Sequence, residues 1–549
     1  MSVTSALPWL PVLLPIFAAA LAYYLPRKLQ YAASLAAEGV QFALSLWLFL
    51  AVGSGGTLEV VPGGWPAGVG IRLMVDMAAA FLILITAAFF LLVLLFNARK
   101  LYMDRLFLFL LLLLQGLLVA TVVSGDLFNV YVLLELSTLV VAILIMYKRG
   151  KQTLLDGMVY LMLNLASMSF VLLGIGMVYR VLGTLDFAVL ARRAAAAGEP
   201  RALIAPFVLV VTGVGMKSAL IMLFPWLPKA HGAPSAPSAV SAVLSGIQVK
   251  AGLIVLVRLI GIFGTPLPLQ PLFVFLGLAT GAAGAILALG QTDLKRILAY
   301  STISQIGLMV FGFALGSDQA WWGALVHIGT HAVAKAVLFL TAGIVIHVYH
   351  ERSVHRVRGV ARRMPLVALS MSFGMLSILG VPIFGGGVSK YLIQSAGSSL
   401  PGAIFWILNG LTALIFVRMS SIFFGRAPEH PGEGEAEAAR AHASRQPELF
   451  TGSVIVLFAA AAWLLGLFAE PVVSYLSGAP VHLDAARGVD KWLEVGLLLA
   501  LASGVNRFLL RPFPLLESIG ERDLAFPDLV SGVLIFVAGI GGWLFLMTR

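Results

Sequence analysis

Apolar residues fall along the chain in blocks of about 20, each closed by a short polar joint, the length a helix needs to cross a bilayer. Roughly sixteen blocks can be counted this way. The first five lie near 7–25, 31–52, 76–96, 106–123 and 127–147, the next five near 157–179, 203–224, 236–262, 269–289 and 297–315. The remainder lie near 320–347, 365–397, 403–424, 450–468, 493–510 and 528–547. Inside the blocks both faces are apolar, so periodicity says little. Helices rather than strands follow from block length and from lipid, which offers no partner to open backbone. The expected fold is all-α, a polytopic bundle of transmembrane helices.

Two polar segments interrupt the pattern. Ala427 to Glu448 is charged, punctuated by Gly and Pro and without an apolar stripe, so it reads as a solvated cytoplasmic linker. The stretch 53–75, rich in Gly and Pro, reads as a surface loop. Met1 to Leu25 has neither a basic leading region nor a convincing cleavage site and is taken as a retained first span.

Composition sharpens this picture. The 549 residues are 60% hydrophobic and 11% charged, with mean hydropathy +1.00 for the chain. Such a chain has lipid as its solvent. The absence of cysteine excludes disulfides, thiolate-bound zinc and cysteine-held iron–sulfur clusters in this chain. The net charge of +11 is not a nucleic-acid signature, because most of it sits in short joints where it sets topology. Joints after odd-numbered blocks carry about 21 Lys and Arg, against about 7 after even-numbered ones. Both termini are therefore expected outside the cytoplasm, with the chain in the cell (inner) membrane.

Charges inside the blocks carry the candidate chemistry. A charge at the centre of a bilayer costs roughly 3 kcal/mol or more, so it is retained for use. Glu135 lies mid-block in FNVYVLLELSTLVVAIL, and the alternatives there are a structural ion pair or a charge that tunes a nearby lysine. Lys217 is the lysine the sequence offers. Desolvation favours its neutral form and a carboxylate partner its charged form, so a moving partner could load and release a proton. Gly213 and Gly215 before it would let the helix unwind.

Lys250 follows Ser241, Ser245 and Gln248, which either line a wet helix face or serve as close-packing small groups. Arg258, near the end of that block, is expected to snorkel outward. In ALVHIGTHAVAKAVLFLTAG, His327, His331 and Lys335 recur every fourth residue and so share one stripe. Imidazole, with an ordinary pKa of about 6.5, suits a proton ladder, and the competing reading is a metal site. Lys390 follows SILGVPIFGGGVSK, where Pro382 and three glycines are hard to keep in a continuous helix. A lysine at a broken helix is an arrangement found at transporter sites. Gln115 and Gln305 lie mid-helix and would either extend a hydrated path or bond across helices.

A faint repeat is also visible. Gly125–Asp126–Leu127 resembles Thr292–Asp293–Leu294, with the aspartates 167 residues apart (293 minus 126). Gly213–Val214–Gly215–Met216–Lys217 resembles the glycine run before Lys390, at a spacing of 173 (390 minus 217). Five blocks separate each pair, and an odd number inverts the second copy across the membrane.

These segments together resemble the antiporter-like subunits of the respiratory complex I superfamily, which includes Mrp sodium/proton antiporters and membrane-bound hydrogenases. The resemblance rests on GDLFNVYVLLEL, GMKSALIMLFPWLPKAHGAPSAPSAVSAVLSGIQVKAGL, LKRILAYSTISQIG, HIGTHAVAKAVLFLTAG and GVPIFGGGVSK, within about residues 70 to 425. It implies that Glu135 and Lys217 form a pair, and that Lys250, His327, His331, Lys335 and Lys390 line a central hydrophilic axis. The twelfth-span residue is Lys in some members and Glu in others, so Lys390 is most similar to the Mrp D-type and quinone-proximal kinds. Two departures stand out. Phe224-Pro225-Trp226 lacks the histidine that many relatives carry there, and the usual double proline of the twelfth span is reduced to Pro382-Ile383.

The resemblance implies about 14 core spans plus about 2 C-terminal spans. Its divisions are residues 1–103 as three N-terminal spans, 104–263 and 264–425 as two inverted five-helix repeats, 426–448 as the linker, and 449–549 as C-terminal spans on which a neighbouring chain docks. The expected function is proton translocation within a multisubunit complex, with no cofactor and no metal in this chain. Expected partners are other membrane subunits, further antiporter-like ones among them, with protons and also sodium as candidate ions. The rival reading is the membrane anchor of an inorganic-carbon uptake complex whose soluble partner bears zinc. Three structural expectations follow: Glu135 and Lys217 on facing helices within about 10 Å, a break between Gly380 and Gly387 with Lys390 facing inward, and irregularity near Gly213 to Lys217.

Overall fold

Aspartate begins many of the helices. Asp76, Asp104, Asp126, Asp186 and Asp293 each accept a backbone N–H from the first turn of the helix that follows. Capping these otherwise orphaned donors stabilises a helix by about 1 kcal/mol, and more is at stake where lipid cannot replace the bond.

The computed structural model describes residues 8–53, 56–66, 70–98, 100, 102–232, 236–397, 399–425, 449–483, 488–510, 515–520 and 526–548. The linker expected at Ala427 to Glu448 lies outside the described residues. The N-terminal part contains α1 (Leu10–Tyr24), α2 (Arg27–Val52), a small hairpin of β1 (Leu58–Val60) and β2 (Leu73–Val75), α3 (Met77–Asn97) and α4 (Arg105–Val123). Next come α5 (Leu127–Ile145), α6 (Lys151–Leu182), the short α7 (Phe187–Ala195), α8 (Ile204–Lys217), α9 (Trp226–Gly232) and α10 (Ser238–Phe263). The second half holds α11 (Leu269–Leu289), α12 (Leu294–Ala314), α13 (Asp318–Tyr349), α14 (Pro365–Leu379), α15 (Gly385–Ser395) and α16 (Ser399–Ser420). The C-terminal part holds α17 (Leu449–Leu467), α18 (Ala469–Ser477), α19 (Val489–Val505), α20 (Leu515–Gly520) and α21 (Phe526–Met547).

Among the described residues 13 helices are long and apolar enough to cross a membrane, or 14 if the bent α17–α18 pair is one span. The shorter α1 and the broken α14–α15 pair fill the two remaining blocks. The loop expected at 53–75 carries the hairpin, which docks through a Leu73–Ser124 bridge.

The 167-residue spacing recurs in the backbone. Leu127 N–H bonds the Leu185 carbonyl and Phe187 N–H the Gly125 carbonyl. Leu294 N–H bonds the Arg352 carbonyl and Val354 N–H the Thr292 carbonyl, the same four positions shifted by 167. The two longest helices obey it too, α6 and α13 having 32 residues each. At about 1.5 Å per residue each is near 48 Å long, more than a bilayer core, so both tilt or protrude.

The second half of the expected repeat is corrected. A Cβ on Gly213 would meet Val171 and the Ser167 carbonyl, and one on Gly374 would meet Leu338 and the Ala334 carbonyl. These partners are again 167 further on, while the glycines themselves are 161 apart (374 minus 213). Gly374, not the Gly385–Gly387 run, thus occupies the place of Gly213. Lys217 ends α8 before a break and Lys390 follows a break inside α15. The two lysines are not counterparts.

The second break falls where it was expected, whereas Gly213 to Lys217, expected to be irregular, is regular helix and the first break begins just after it. After Lys217 the chain leaves the helix, with Ala219 and Met222 at positive φ, and resumes at Trp226. After Leu379, Gly380 sits at φ +96 and helix resumes at Gly385. Glycine is required there, since a Cβ on Gly386 would fall 1.7 Å from the Ser377 carbonyl oxygen. The centre of the molecule is built from α10, α12 and α13, whose residues are almost wholly buried. Helices α11 and α12 meet backbone to backbone: a Cβ on Gly307 would lie 2.2 Å from Gly281 N.

Candidate functional site

Glu135 is half-buried on α5, in the wall of a cleft of about 560 Å³ between α5 and α6 that Tyr131, Met168, Leu172 and Arg180 also line. Its Oε2 has no hydrogen-bond partner among the described residues. Lys217, 4% exposed, is within electrostatic reach of Glu135, but its ammonium donates to Thr138 Oγ1, one turn along the same helix. The expected facing arrangement is present, without a direct ion pair. One residue before Thr138, Ser137 Oγ accepts from Gln248 Nε2 at 3.2 Å. Gln248 thereby ties α5 to α10.

Lys250 follows a π-turn, Leu244–Gln248, in the middle of α10. The widened turn leaves the Ser245 carbonyl pointing along the helix, where it accepts from the Lys250 ammonium. The same ammonium lies 2.9 Å from His331 Nδ1 on α13. The other ring nitrogen, His331 Nε2, is buried with no hydrogen-bond partner among the described residues. Ser245 Oγ and Thr302 Oγ1 lie 2.7 Å apart and lead from α10 to α12.

Along α13 the His327 and His331 ring centroids are 6.1 Å apart. His327 Nε2 meets the Gln305 carbonyl oxygen at 3.1 Å, while Gln305 Nε2 donates to Thr412 Oγ1 at 3.4 Å. His327 Nδ1 meets Ser389 Oγ at 2.8 Å, and that hydroxyl also has the Gly386 carbonyl 3.2 Å away. The next residue, Lys390, donates to Asn409 Oδ1 at 2.7 Å. Lys335, fully buried, turns instead to Ser301 Oγ and to the Leu298 carbonyl at 2.8 Å.

The hydrogen bonds form separate groups: Lys217 with Thr138, Gln248 with Ser137, Lys250 with His331, His327 with Ser389 and Lys390 with Asn409. Sequence neighbours and the 6.1 Å histidine pair set these groups side by side across two breaks and a π-turn. Lys335 forms a side branch on α12. Glu135 stands at the outer end, on the open cleft. Every group in this series can donate or accept a proton, or hold a group that does.

Two further groups were not singled out in the sequence. His231 in α9 is fully buried, stacks on Phe339 at 4.5 Å, and has no partner on either ring nitrogen among the described residues. Lys250, Lys295 and Lys335 are its electrostatic neighbours. Lys295 counted as a loop charge in the topology argument, yet it is 5% exposed and donates to the Ala236 carbonyl at 3.2 Å. The available signal was WLPKAHGAP, a histidine inside a Pro-rich elbow with both flanks apolar. Arg258 does not snorkel: it donates to the Ser124 and Val122 carbonyls at 2.7 and 2.5 Å, closing the orphaned C-terminal end of α4. Gln115 bonds across helices, to Glu38.

A multi-pass bundle with a buried Lys/His file between broken helices is the architecture of an antiporter-like membrane subunit. The chain belongs to the family described as NADH:quinone oxidoreductase/Mrp antiporter, TM, whose match covers residues 124–416. It is 33% identical over 499 residues to NADH-quinone oxidoreductase subunit N of Desulforudis audaxviator, covering 86% of this chain and 97% of that one. It is 29% identical to the D-type Na(+)/H(+) antiporter chain of Bacillus subtilis, over 89% of this chain and 98% of the relative. In fold it superimposes on a chain of the Mrp complex from Dietzia sp. with a TM-score of 0.76 and 24% identity, covering 91% of this chain and all of that one.

Proposed function

We propose that this subunit moves protons laterally through the bilayer plane, along the file from Lys217 through Lys250, His331 and His327 to Lys390. Glu135 modulates its outer end and Lys335 serves as a proton-holding branch. The observation that carries the reading is the Lys250–His331 contact of 2.9 Å, which links the two halves of the chain. His231 and Lys295 are further candidates for exchange with the file, since both are buried beside it.

In this reading residues 104–263 and 264–425 are two inverted units, each supplying half a channel, and the 167-residue spacing supports that division. The subunit works in a multisubunit membrane complex, as the relatives' names imply, beside other membrane subunits. Further antiporter-like chains are the partners expected there. The energy comes from redox chemistry in a neighbour or from exchange against sodium. In this reading it sits in the cell (inner) membrane, and the distribution of basic residues supports an orientation with both termini outside the cytoplasm.

The test is proton flux in proteoliposomes holding the intact complex, with assembly checked separately. Lys250→Ala should preserve folding, because removing a buried charge also removes its desolvation cost, and should abolish flux. Lys250→Arg should fail as well, because a guanidinium keeps its proton. Normal flux with Lys250→Ala would make the axis structural and bring forward the anchor reading.

A further inference from the structure

Among the described residues two buried acids lie outside the proton file; Asp186 is paired with Arg72 at 2.5 Å, and Glu38 has no ion pair. On α2 the residues Gln30, Ser34, Glu38, Gln41 and Ser45 follow one another at helical spacing, and all five are buried, Glu38 to 1% exposure. They form a polar seam about 22 Å long on a single helix face. Its upper part meets α1 and α4. Gln41 Nε2 donates to the Pro11 carbonyl at 2.9 Å, and Gln115 Nε2 donates to Glu38 Oε2 at 3.0 Å. The carbonyl oxygens of both amides, Gln41 Oε1 and Gln115 Oε1, are buried with no hydrogen-bond donor among the described residues.

Nothing basic compensates this acid. Among the described residues no ion pair reaches Glu38. The charged and titratable groups of the elements packed around it lie at their ends: Arg27, Lys28 and Tyr31 on α2 itself, Tyr23 and Tyr24 on α1, and Arg105 on α4. Helix α3 has none. Tyr31 is turned away, donating to the Leu94 carbonyl at 2.9 Å. A carboxylate in hydrocarbon with one amide donor and no cation is too poorly compensated to stay ionised. An O–H on it would meet a need already present, since acceptors on neighbouring amides lack donors.

We propose that Glu38 is a proton-binding carboxyl, separate from the Lys/His file, which is neutral in the membrane and exchanges its proton through the Gln30 end of the seam, where Gln30 is 7% exposed against 0–1% for the other four. Its chemistry is the reverse of the file's. The file is made of bases that become charged on protonation, whereas Glu38 becomes neutral.

The test is infrared difference spectroscopy of the reconstituted complex at neutral pH, in a Glu135→Gln background that removes the other mid-membrane carboxyl. A protonated-carboxyl C=O band is expected, sensitive to deuterium exchange and lost in Glu38→Gln, which keeps shape and neutrality. Gln115→Leu, in the same background with Glu38 intact, should shift the band without removing it, and so serves if Glu38→Gln fails to assemble. Spectra that are the same with and without Glu38, or that Gln115→Leu does not change, would overturn the proposal. A band that disappears on adding sodium but not choline would also overturn it, in favour of a metal-ion site.

Discussion

At the scale of single residues, five buried lysines meet the problem of charge in lipid in one way. Each ammonium finds neutral oxygens: Thr138 for Lys217, Ser245 for Lys250, Ala236 for Lys295, Ser301 and Leu298 for Lys335, and Asn409 for Lys390. Neutral acceptors solvate a charged lysine without holding its proton as a carboxylate would. Asn409→Asp tests the point, because it puts an acid 2.7 Å from the Lys390 ammonium without changing side-chain size. The subunit should assemble normally, and proton flux should fall about tenfold for each 1.4 kcal/mol of added pairing. Unchanged flux in the same proteoliposomes would mean that Lys390 never releases its proton during turnover. The seven charged or imidazole-bearing positions singled out in the sequence were legible because a polar residue in an apolar block stands out. His231 and Lys295 were not, because both lie in joints, where charge has a simpler explanation in topology.

At the scale of elements, the breaks were legible and their equivalence was not. Pro382 and the glycines announce the second break. The first, after Lys217, has only Gly213 and Gly215 before it; Gly213 serves close packing against α6, and Gly215 makes room for Leu220 and Leu223 of the break segment. The π-turn of α10 left no sequence signature, since Leu244–Gln248 would sit equally well in an α-helix. Its effect is nevertheless large. A π-turn is one extra residue in a helix, so deleting Ile247 should restore α-geometry. The wide turn absorbs its extra residue without shifting the flanking register, so Lys250 would keep its face, but the Ser245 carbonyl would return to the backbone ladder and be lost to the ammonium. Flux should fall while helix content and assembly persist; retained flux would show that the Ser245 carbonyl is dispensable to Lys250. Packing between elements has its own test. Gly307→Leu must separate α11 from α12, at a cost of about 1–3 kcal/mol, read as a lowered Tm in detergent.

At the scale of the whole molecule, the C-terminal helices that carry no family motif acquire a place. Each break is covered by one of them at a glycine. A Cβ on Gly466 of α17 would lie 2.3 Å from the Phe384 carbonyl carbon, in the second break. A Cβ on Gly532 of α21 would lie 2.8 Å from the Met222 carbonyl oxygen, in the first. Backbone freed from a helix must be shielded from lipid by protein, and these two contacts supply part of that shield. Helix α20 is tied in between by Glu517, whose Oε1 accepts from Arg418 at 2.5 Å and lies 2.9 Å from His355 Nε2. Docking of a neighbour was the role expected for this region, and contact with the chain's own breaks is what its inner face makes. The consequence can be measured by hydrogen exchange. Gly532→Leu should raise the exchange of backbone amides between Ser218 and Phe224 and leave those between Gly380 and Phe384 unchanged. Gly466→Leu should do the converse. If both variants raised exchange at both breaks, the contacts would belong to one global opening, and separate covers for the two half-channels would have to be abandoned.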